Sequence, residues 1–566
     1  MLGAGGTVAA AGCLGGDGGG GGNDSGNESG GGGGGDYSIE LSADNANPDN
    51  SDVSADDIPD GGELVATLAA DVAQYDPINQ TDTTSVKATD HIYEKLLEVD
   101  WEGGFHNVLA TSIDRQDDTT YEVSVREGVT FHNGDELTAE DVKASFERYE
   151  GAPNESEVYT WYDSSEVLDD YTLQLNLSTT YSPLQADLAA VPIVPQAAAD
   201  GDVNLDDGPV GTGAYQFVEH QNDELFRIER YEDYWFEGND TVPGTPPIET
   251  VTFRIVVESS AQVAAVQSGD VDMINSPQPS SVSDLQDNDE VEVAEVLGAG
   301  NDQFIYPLSV EPFNNRKVRQ GVGRLIPRQS IVDAVYSGTS IPAYAAISPM
   351  LEEYSSVDLH EEIANEYAGF DPEAATQLIQ EGFEEEGIEA PFETTIITNE
   401  NPQRVQWCQL IQESMENTDL FSVNLEQYEW NTYLDRVNAE DSHTVNEIIA
   451  LGWSGGWDPD YYVYDLFYSE QASPACCNTN SWANDEADQL IDEGLSSLDE
   501  SARQEAYEEL QRLIAREAPM SFVQFSYVYD VFRADRVQNW AGYPIDSMEF
   551  EALYAPHVNQ VAWLDN

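Results

Sequence analysis

Two short stretches and four cysteines carry the residue types that could do chemistry. Gly452-Trp453-Ser454-Gly455-Gly456 fits the G-x-S-x-G pattern of a nucleophile elbow, a sharp turn that lifts a serine hydroxyl toward a general base. A triad built on Ser454 needs a later histidine, and only His557 follows it. No HGGG-type segment precedes Ser454 to stabilise an oxyanion, and so loose a pattern arises readily in a glycine-rich loop. A serine hydrolase acting through Ser454 is therefore the alternative function, and no catalytic residue is assigned. Asp202-Val203-Asn204-Leu205-Asp206-Asp207-Gly208 is similar to a calcium loop, but its glycine stands one place late and no glutamate closes it. An acidic surface loop is the expectation there. Of the cysteines Cys13, Cys408, Cys476 and Cys477, none falls in a C-x-x-C spacing, so neither metal nor cofactor is expected. Cys408 bridged to one of the adjacent pair is the preferred disulfide, although sequence does not select the partner.

Val8-Ala9-Ala10-Ala11-Gly12-Cys13 resembles a lipobox, in which small residues precede a cysteine that becomes lipid-modified. Ala10 stands where leucine is usual, and no basic residues come before it, which places the expected start codon upstream. Residues 14–35 are almost all Gly with Asn, Ser and Asp, and residues 36–60 are acidic. Such a tract buries too little apolar area to offset its ordering entropy, so 1–13 reads as a lipoprotein signal and 14–60 as a flexible tether.

The remaining chain must supply the elements that position any site. Of 566 residues, 40% are hydrophobic and 10% aromatic, a globular composition long enough for several cores. Asp and Glu total 108 against 21 Lys and Arg, a formal charge of −87, with lysine only at Lys87, Lys95, Lys143 and Lys317. The acid is spread along the whole length. In dilute buffer it repels itself, whereas about 1 M salt shortens the Debye length to about 3 Å. A halophilic, haloarchaeal-like origin is expected, and nucleic-acid binding is excluded for want of a basic face. Tyr121–Arg126, Tyr171–Leu175 and Thr252–Val256 alternate at period two as strands do. Thr138 caps a helix with Asp141 on its positive end and Val142, Phe146 and Tyr149 on its buried face. Asp371-Pro372 opens another, and Asp499 to Glu517 forms a long one that turns Ala506, Leu510, Leu513 and Ile514 inward. The mixture reads as α/β with more than one lobe.

Within those elements the chain resembles the family 5 extracellular solute-binding proteins of the dipeptide and oligopeptide type. The resemblance begins with Gly61-Gly62-Glu63-Leu64, Tyr75-Asp76-Pro77 and Ile92-Tyr93-Glu94-Lys95-Leu96. It is densest from Arg126-Glu127-Gly128-Val129-Thr130-Phe131-His132-Asn133-Gly134 into Leu137-Thr138-Ala139-Glu140-Asp141-Val142. Pro209 to Tyr215, Tyr234-Trp235, Gln267 to Asp272, Pro312-Phe313, Gly452-Trp453 and Asp458-Pro459-Asp460 follow in the family's order. The resemblance implies a two-lobed, periplasmic-binding-protein-like α/β fold with an additional N-terminal inserted domain. Lobe I is expected over 61–100, 205–305 and 515–566, the insert over 101–204, and lobe II over 306–514. It also implies a non-enzymatic function: a lipid-anchored monomer outside the cell that captures peptides or similar small polar solutes and hands them to an ABC permease. ATP hydrolysis would lie in separate subunits, since this chain has no phosphate-gripping G-x-x-x-x-G-K-[ST]. His132, in the turn between Gly128 and Gly134, is expected to hydrogen-bond structurally, and Gly211 and Gly213 to mark a backbone return between lobes.

The same resemblance puts Gly452–Asp460 in the ligand cleft. Peptide-binding members carry an aspartate, which pairs with the peptide ammonium, where this chain has Gly456. Either Asp458 takes over or the ligand lacks that ammonium. Trp453 and Trp457 are candidate cleft walls, and Arg404 the candidate partner for a ligand carboxylate.

Overall fold

The computed structural model describes residues 37, 39, 41, 53–439, 441–472 and 477–565. The lipidation candidate Cys13 and the glycine tract lie outside the described residues. One large mixed sheet runs in the order Phe421–Tyr428, Phe392–Asn399, Glu447–Trp453, Val291–Ile305, Met520–Arg533, Met273–Asn275, Glu63–Leu68, Thr250–Ile255, Leu225–Arg230, Tyr215–Gln221. Two of these strands are long, Val291–Ile305 and Met520–Arg533, and they pair antiparallel. Their distal halves support different neighbours. Asn301–Ile305 pairs with Glu447–Trp453, whereas Asp530–Phe532 pairs with Met273–Asn275. These two strands therefore carry the chain between two lobes, and their register breaks between Leu297 and Asn301. The break contains Gly298-Ala299-Gly300, a bulge where the ladder bends.

Each lobe has its own apolar cores. Leu64, Tyr215, Phe226, Val251 and Phe253 are buried in the first. Phe304, Val318, Ile379, Ile396, Trp407 and Ile448 are buried in the second, beside a further cluster built on Ile363, Tyr433, Tyr462 and Leu510. A separate four-stranded sheet, ordered Ala110–Arg115, Thr120–Val125, Thr172–Leu177, Tyr162–Asp169, covers a third core with Val123, Phe131, Phe146 and Trp161. That core also draws on Leu96, Leu97 and Val99, ahead of the expected boundary at 101.

Local signals hold where the chain's own chemistry suffices. The helix Ala139–Glu147 starts with a reciprocal box, the Thr138 amide donating to Asp141 at 2.8 Å. Asp371 caps Pro372–Glu386, and Asp499 caps Glu500–Glu517. The His132 Nε2 lies 2.9 Å from the Gly213 carbonyl, and burial lowers its pKa to about 4, so it is a neutral structural group. Gly211 and Gly213 do not span the lobes. A Cβ on them would lie 2.0 Å from the Ile92 carbonyl and 2.2 Å from that of His91, so they let two backbones touch where the insert rejoins the first lobe. Asp206 accepts from the amides of Tyr75 and Asp76 at 3.3 Å, tying its loop to the first lobe.

The disulfide expectation needs correction. Cys408 is a free thiol, fully buried beside Trp407 and Ile411 in the second lobe's core, while Cys477 is disulfide-bonded elsewhere. A buried cysteine inside a packed helix behaves as a small hydrophobe, and residue spacing does not reveal that burial.

Candidate ligand cleft

The strand Glu447–Trp453 ends beside the bulge of the crossing strand, with Trp453 opposite Asn301. The next seven residues therefore emerge where the lobes meet. Trp453 closes this loop, its Nε1 donating to the Tyr461 carbonyl at 2.6 Å. Asp458 organises it from within, accepting from the Asp460 amide at 2.9 Å. Both oxygens of Asp458 also receive Arg503 Nη2, at 3.0 and 2.9 Å, with the two side chains only 8% and 7% exposed. Arg503 comes from the helix Glu500–Glu517, where its Nε holds the Gly494 carbonyl and the rings of Tyr354 and Tyr507 flank its guanidinium. Asp460 is buried with its Oδ1 lacking a hydrogen-bond partner, and burial together with the Asp458 charge holds its pKa well above the carboxylate range.

The opposite wall comes from the first lobe and the insert. Trp101 and Tyr543 pack edge to face at 5.3 Å, fixed by hydrogen bonds from Trp101 Nε1 to the Gly542 carbonyl and from Tyr543 to the Val99 carbonyl. Trp457 crosses from the loop to this wall, 5.8 Å from the Tyr543 ring, and Gly103 leaves room for it, since a Cβ there would sit 3.3 Å from Trp457 Cε3. Tyr461 also crosses, donating to Asp187 of the insert at 2.6 Å, and burial pushes the Asp187 pKa up to about 7. The Ser182 amide donates to the Leu495 carbonyl at 2.7 Å. The lobes are closed on each other, with Trp457 spanning the gap.

Trp453, Gly456, Trp457 and Asp458 thus share one loop, and two of the candidate charged groups already have partners within the protein. Asp458 is not a free acceptor for a ligand ammonium: its charge is matched by Arg503, and separating them would strand a buried ion. Arg404 is likewise engaged, with Asp302 Oδ1 at 3.2 Å and Asn399 Oδ1 at 2.9 Å, in the space that Gly452 leaves open. Ser454 and His557 do not assemble a triad, because His557 faces a different cavity, in which Ser454 takes no part. Sequence reasoning missed Arg503, Tyr461, Asp187, Trp101 and Tyr543. Only Arg503 gave a signal, as a cation placed one turn before the inward-facing Ala506 in an acid-rich helix.

Gly456 is buried beneath the Tyr461 ring, and a Cβ there would lie 2.3 Å from Tyr461 Cδ2. No side chain fits unless Tyr461 moves. Gly456→Ala is expected to break the Tyr461–Asp187 hydrogen bond and destabilise the closed form by about 0.5–1.5 kcal/mol, the range for an ordinary hydrogen bond, because burial disfavours the charged form of Asp187. Thermal unfolding of Gly456→Ala beside Tyr461→Phe measures this, and the two should lose similar amounts.

The sequence model of the bacterial extracellular solute-binding proteins, family 5 Middle, matches residues 104–474. The dipeptide-binding protein of Escherichia coli is 27% identical over 467 residues, 77% of this chain and 83% of that protein. The glutathione-binding protein GsiB of Pectobacterium atrosepticum is 25% identical over 472 residues, 81% of this chain and 88% of that one. Among solved structures, periplasmic binding protein DppA from Helicobacter pylori, in complex with the peptide STSA, superposes with a TM-score of 0.72 at 24% identity, covering 90% of this chain and 99% of that one. The substrate-binding protein CtaP from Listeria monocytogenes gives 0.76 at 22% identity over 90% and 100% of the two chains. These likenesses show the same two-lobed fold.

Proposed function

The chain belongs to the family 5 extracellular solute-binding proteins, and from that membership we propose that it captures peptides or similar small polar solutes outside the cell and delivers them to an ABC permease. The observation that carries this reading is the loop 452–460, pinned at the inter-lobe bulge and pressed through Trp457 onto Tyr543, which itself packs against Trp101. A ligand that enters must displace Trp457, and lobe closure about the two crossing strands would then bury it. The relatives named for dipeptides and glutathione support a peptide-like ligand. Gly456 and the Arg503-bound Asp458 leave Asp460 as the loop's acidic group with an unpartnered oxygen. A ligand N–H that gives Asp460 a hydrogen bond without a charged ammonium is the recognition we favour, because burial and the neighbouring Asp458 disfavour the charged form of Asp460.

The division into lobe I over 61–100, 205–305 and 515–566, insert over 101–204 and lobe II over 306–514 is part of the same proposal, supported by the separate cores. A monomer is proposed as the working unit. The test is titration in molar salt with di- and tripeptides, followed by tryptophan emission. Saturable one-site change is expected, equal in Ser454→Ala because the hydroxyl is no nucleophile. Peptide turnover abolished by Ser454→Ala would overturn the importer reading.

Anchoring through Cys13 is the second part of the proposal, supported by Ala10-Ala11-Gly12 before it and the glycine tether after it. Cys13→Ser is expected to move the protein from the membrane fraction into the culture medium. Unchanged retention would mean another anchor.

A further inference from the structure

From position 15 to position 52 the chain is almost wholly glycine and polar residues, and its only large apolar side chains are Tyr37, Ile39 and Leu41. The first two lie against the second lobe. Ile39 is 8% exposed and joins the core cluster of Tyr344, Ile363 and Ala364. Its amide donates to Glu361 Oε1 at 3.1 Å. The Tyr37 hydroxyl donates to the Phe370 carbonyl at 2.8 Å, its amide donates to Asn365 Oδ1 at 3.5 Å, and its ring packs 5.8 Å from that of Tyr344.

The receiving surface is shaped for these two residues. The helix Val357–Ile363 continues as a π turn over Ala364–Ala368, closed by the Gly369 amide on the Ala364 carbonyl at 2.7 Å, and such turns are frequent at functional sites. Asn365 Nδ2 donates to the Glu361 carbonyl at 2.8 Å, which leaves Oδ1 for Tyr37. At Gly369, where φ is −65°, a Cβ would lie 2.2 Å from Tyr37 Cε2 and 2.7 Å from the Ala364 carbonyl. Glycine is needed there for room, and Tyr37 fills it. The chain next touches the body in the first lobe. The Ala55 amide donates to the Asp240 carbonyl at 3.0 Å, and Ile58 packs on the first lobe's core. Ile39 and Ala55 are 16 positions apart, so the chain passes between the lobes once ahead of the two crossing strands.

We propose that the surface of Tyr344, Glu361, Asn365 and Gly369 is a docking site for this chain's own N-terminal segment, entered by Tyr37 and Ile39. A molecule held at Cys13 is then held by its second lobe on a leash of 24 positions, not by its first lobe on one of 42. For a flexible chain this shortens the reach from about 32–39 Å to about 24–29 Å. The leash statement rests on the Cys13 proposal; the docking does not. The test is hydrogen exchange, read by mass spectrometry, on the full chain carrying Cys13→Ser in molar NaCl. The peptide around residue 39 should exchange at least about tenfold faster in Tyr37→Ala, and in Glu361→Ala, which removes the acceptor from the other side. The strand Thr120–Val125 should stay protected in all three chains. With the Cys13 thiol as a handle, force applied between residue 13 and the C-terminus should release a first step of at most about 65 Å, the reach of 18 positions at about 3.6 Å each. Tyr37→Ala should remove that step. Equal exchange in the three chains, or no early step, would overturn the docking. Protection at residue 39 beside unchanged membrane retention of Cys13→Ser would reject the anchor and keep the docking.

Discussion

On dialysis from molar salt to below about 0.2 M, the protein is expected to lose its near-ultraviolet circular dichroism as its tertiary packing fails. The cause is the formal charge of −87, which the fold does not neutralise locally. All four lysines already face carboxylates, and three of them face two. Lys87 sits between Asp546 and Glu549, Lys95 between Asp90 and Glu98, and Lys317 between Glu381 and Glu385. Lys143 meets Glu147 at 3.9 Å, and Arg512 is surrounded by Glu362, Glu508 and Glu509. The clusters in which one cation faces two or three carboxyl groups keep a negative surplus after pairing. At about 1 M salt the Debye length of about 3 Å confines that surplus to its own cluster, whereas near 0.15 M it reaches about 8 Å and the clusters repel one another. Since net stability is typically only about 5–15 kcal/mol, summed surface repulsion is enough to decide the outcome. A spectrum and urea midpoint unchanged between dilute and molar salt would sink the halophile argument.

Arg503→Met is expected to cost about 3–5 kcal/mol of stability, because it leaves the Asp458 carboxylate buried without its partner. Asp458→Leu should cost a similar amount by stranding the guanidinium. The double variant should recover most of the loss, since two apolar side chains leave no ion to desolvate. Urea unfolding of the four proteins at one fixed salt concentration makes a thermodynamic cycle, and a coupling near zero would refute the pair. Both single variants should also weaken ligand capture, because Asp458 holds the Asp460 amide and thereby the loop that carries Trp457. Loss of ligand affinity with stability intact would instead restore Asp458 as a direct ligand contact.

The fold class was legible because its signals are local or ordered along the chain. Capping at Thr138, alternation at 121–126 and 171–175, and the motif series from Gly61 to Asp460 need no knowledge of distant contacts. The candidate cleft loop was legible for the same reason, since Gly452-Trp453 and Asp458-Pro459-Asp460 are contiguous. What the loop's residues do was not. Asp458 and Arg503 are 45 positions apart, Arg404 and Asp302 are 102 apart, and Tyr461 and Asp187 are 274 apart.

By itself the sequence determined the elements, their order, the family and the acid surplus, because each follows from composition or from neighbours along the chain. Only the tertiary structure decided which charges are free. An aspartate reads the same in sequence whether it faces water, a ligand or a buried arginine, and the energetics of those three settings differ by several kcal/mol. Tertiary packing matched Asp458 with Arg503, filled the space above Gly456 with Tyr461, and buried Cys408 as a free thiol.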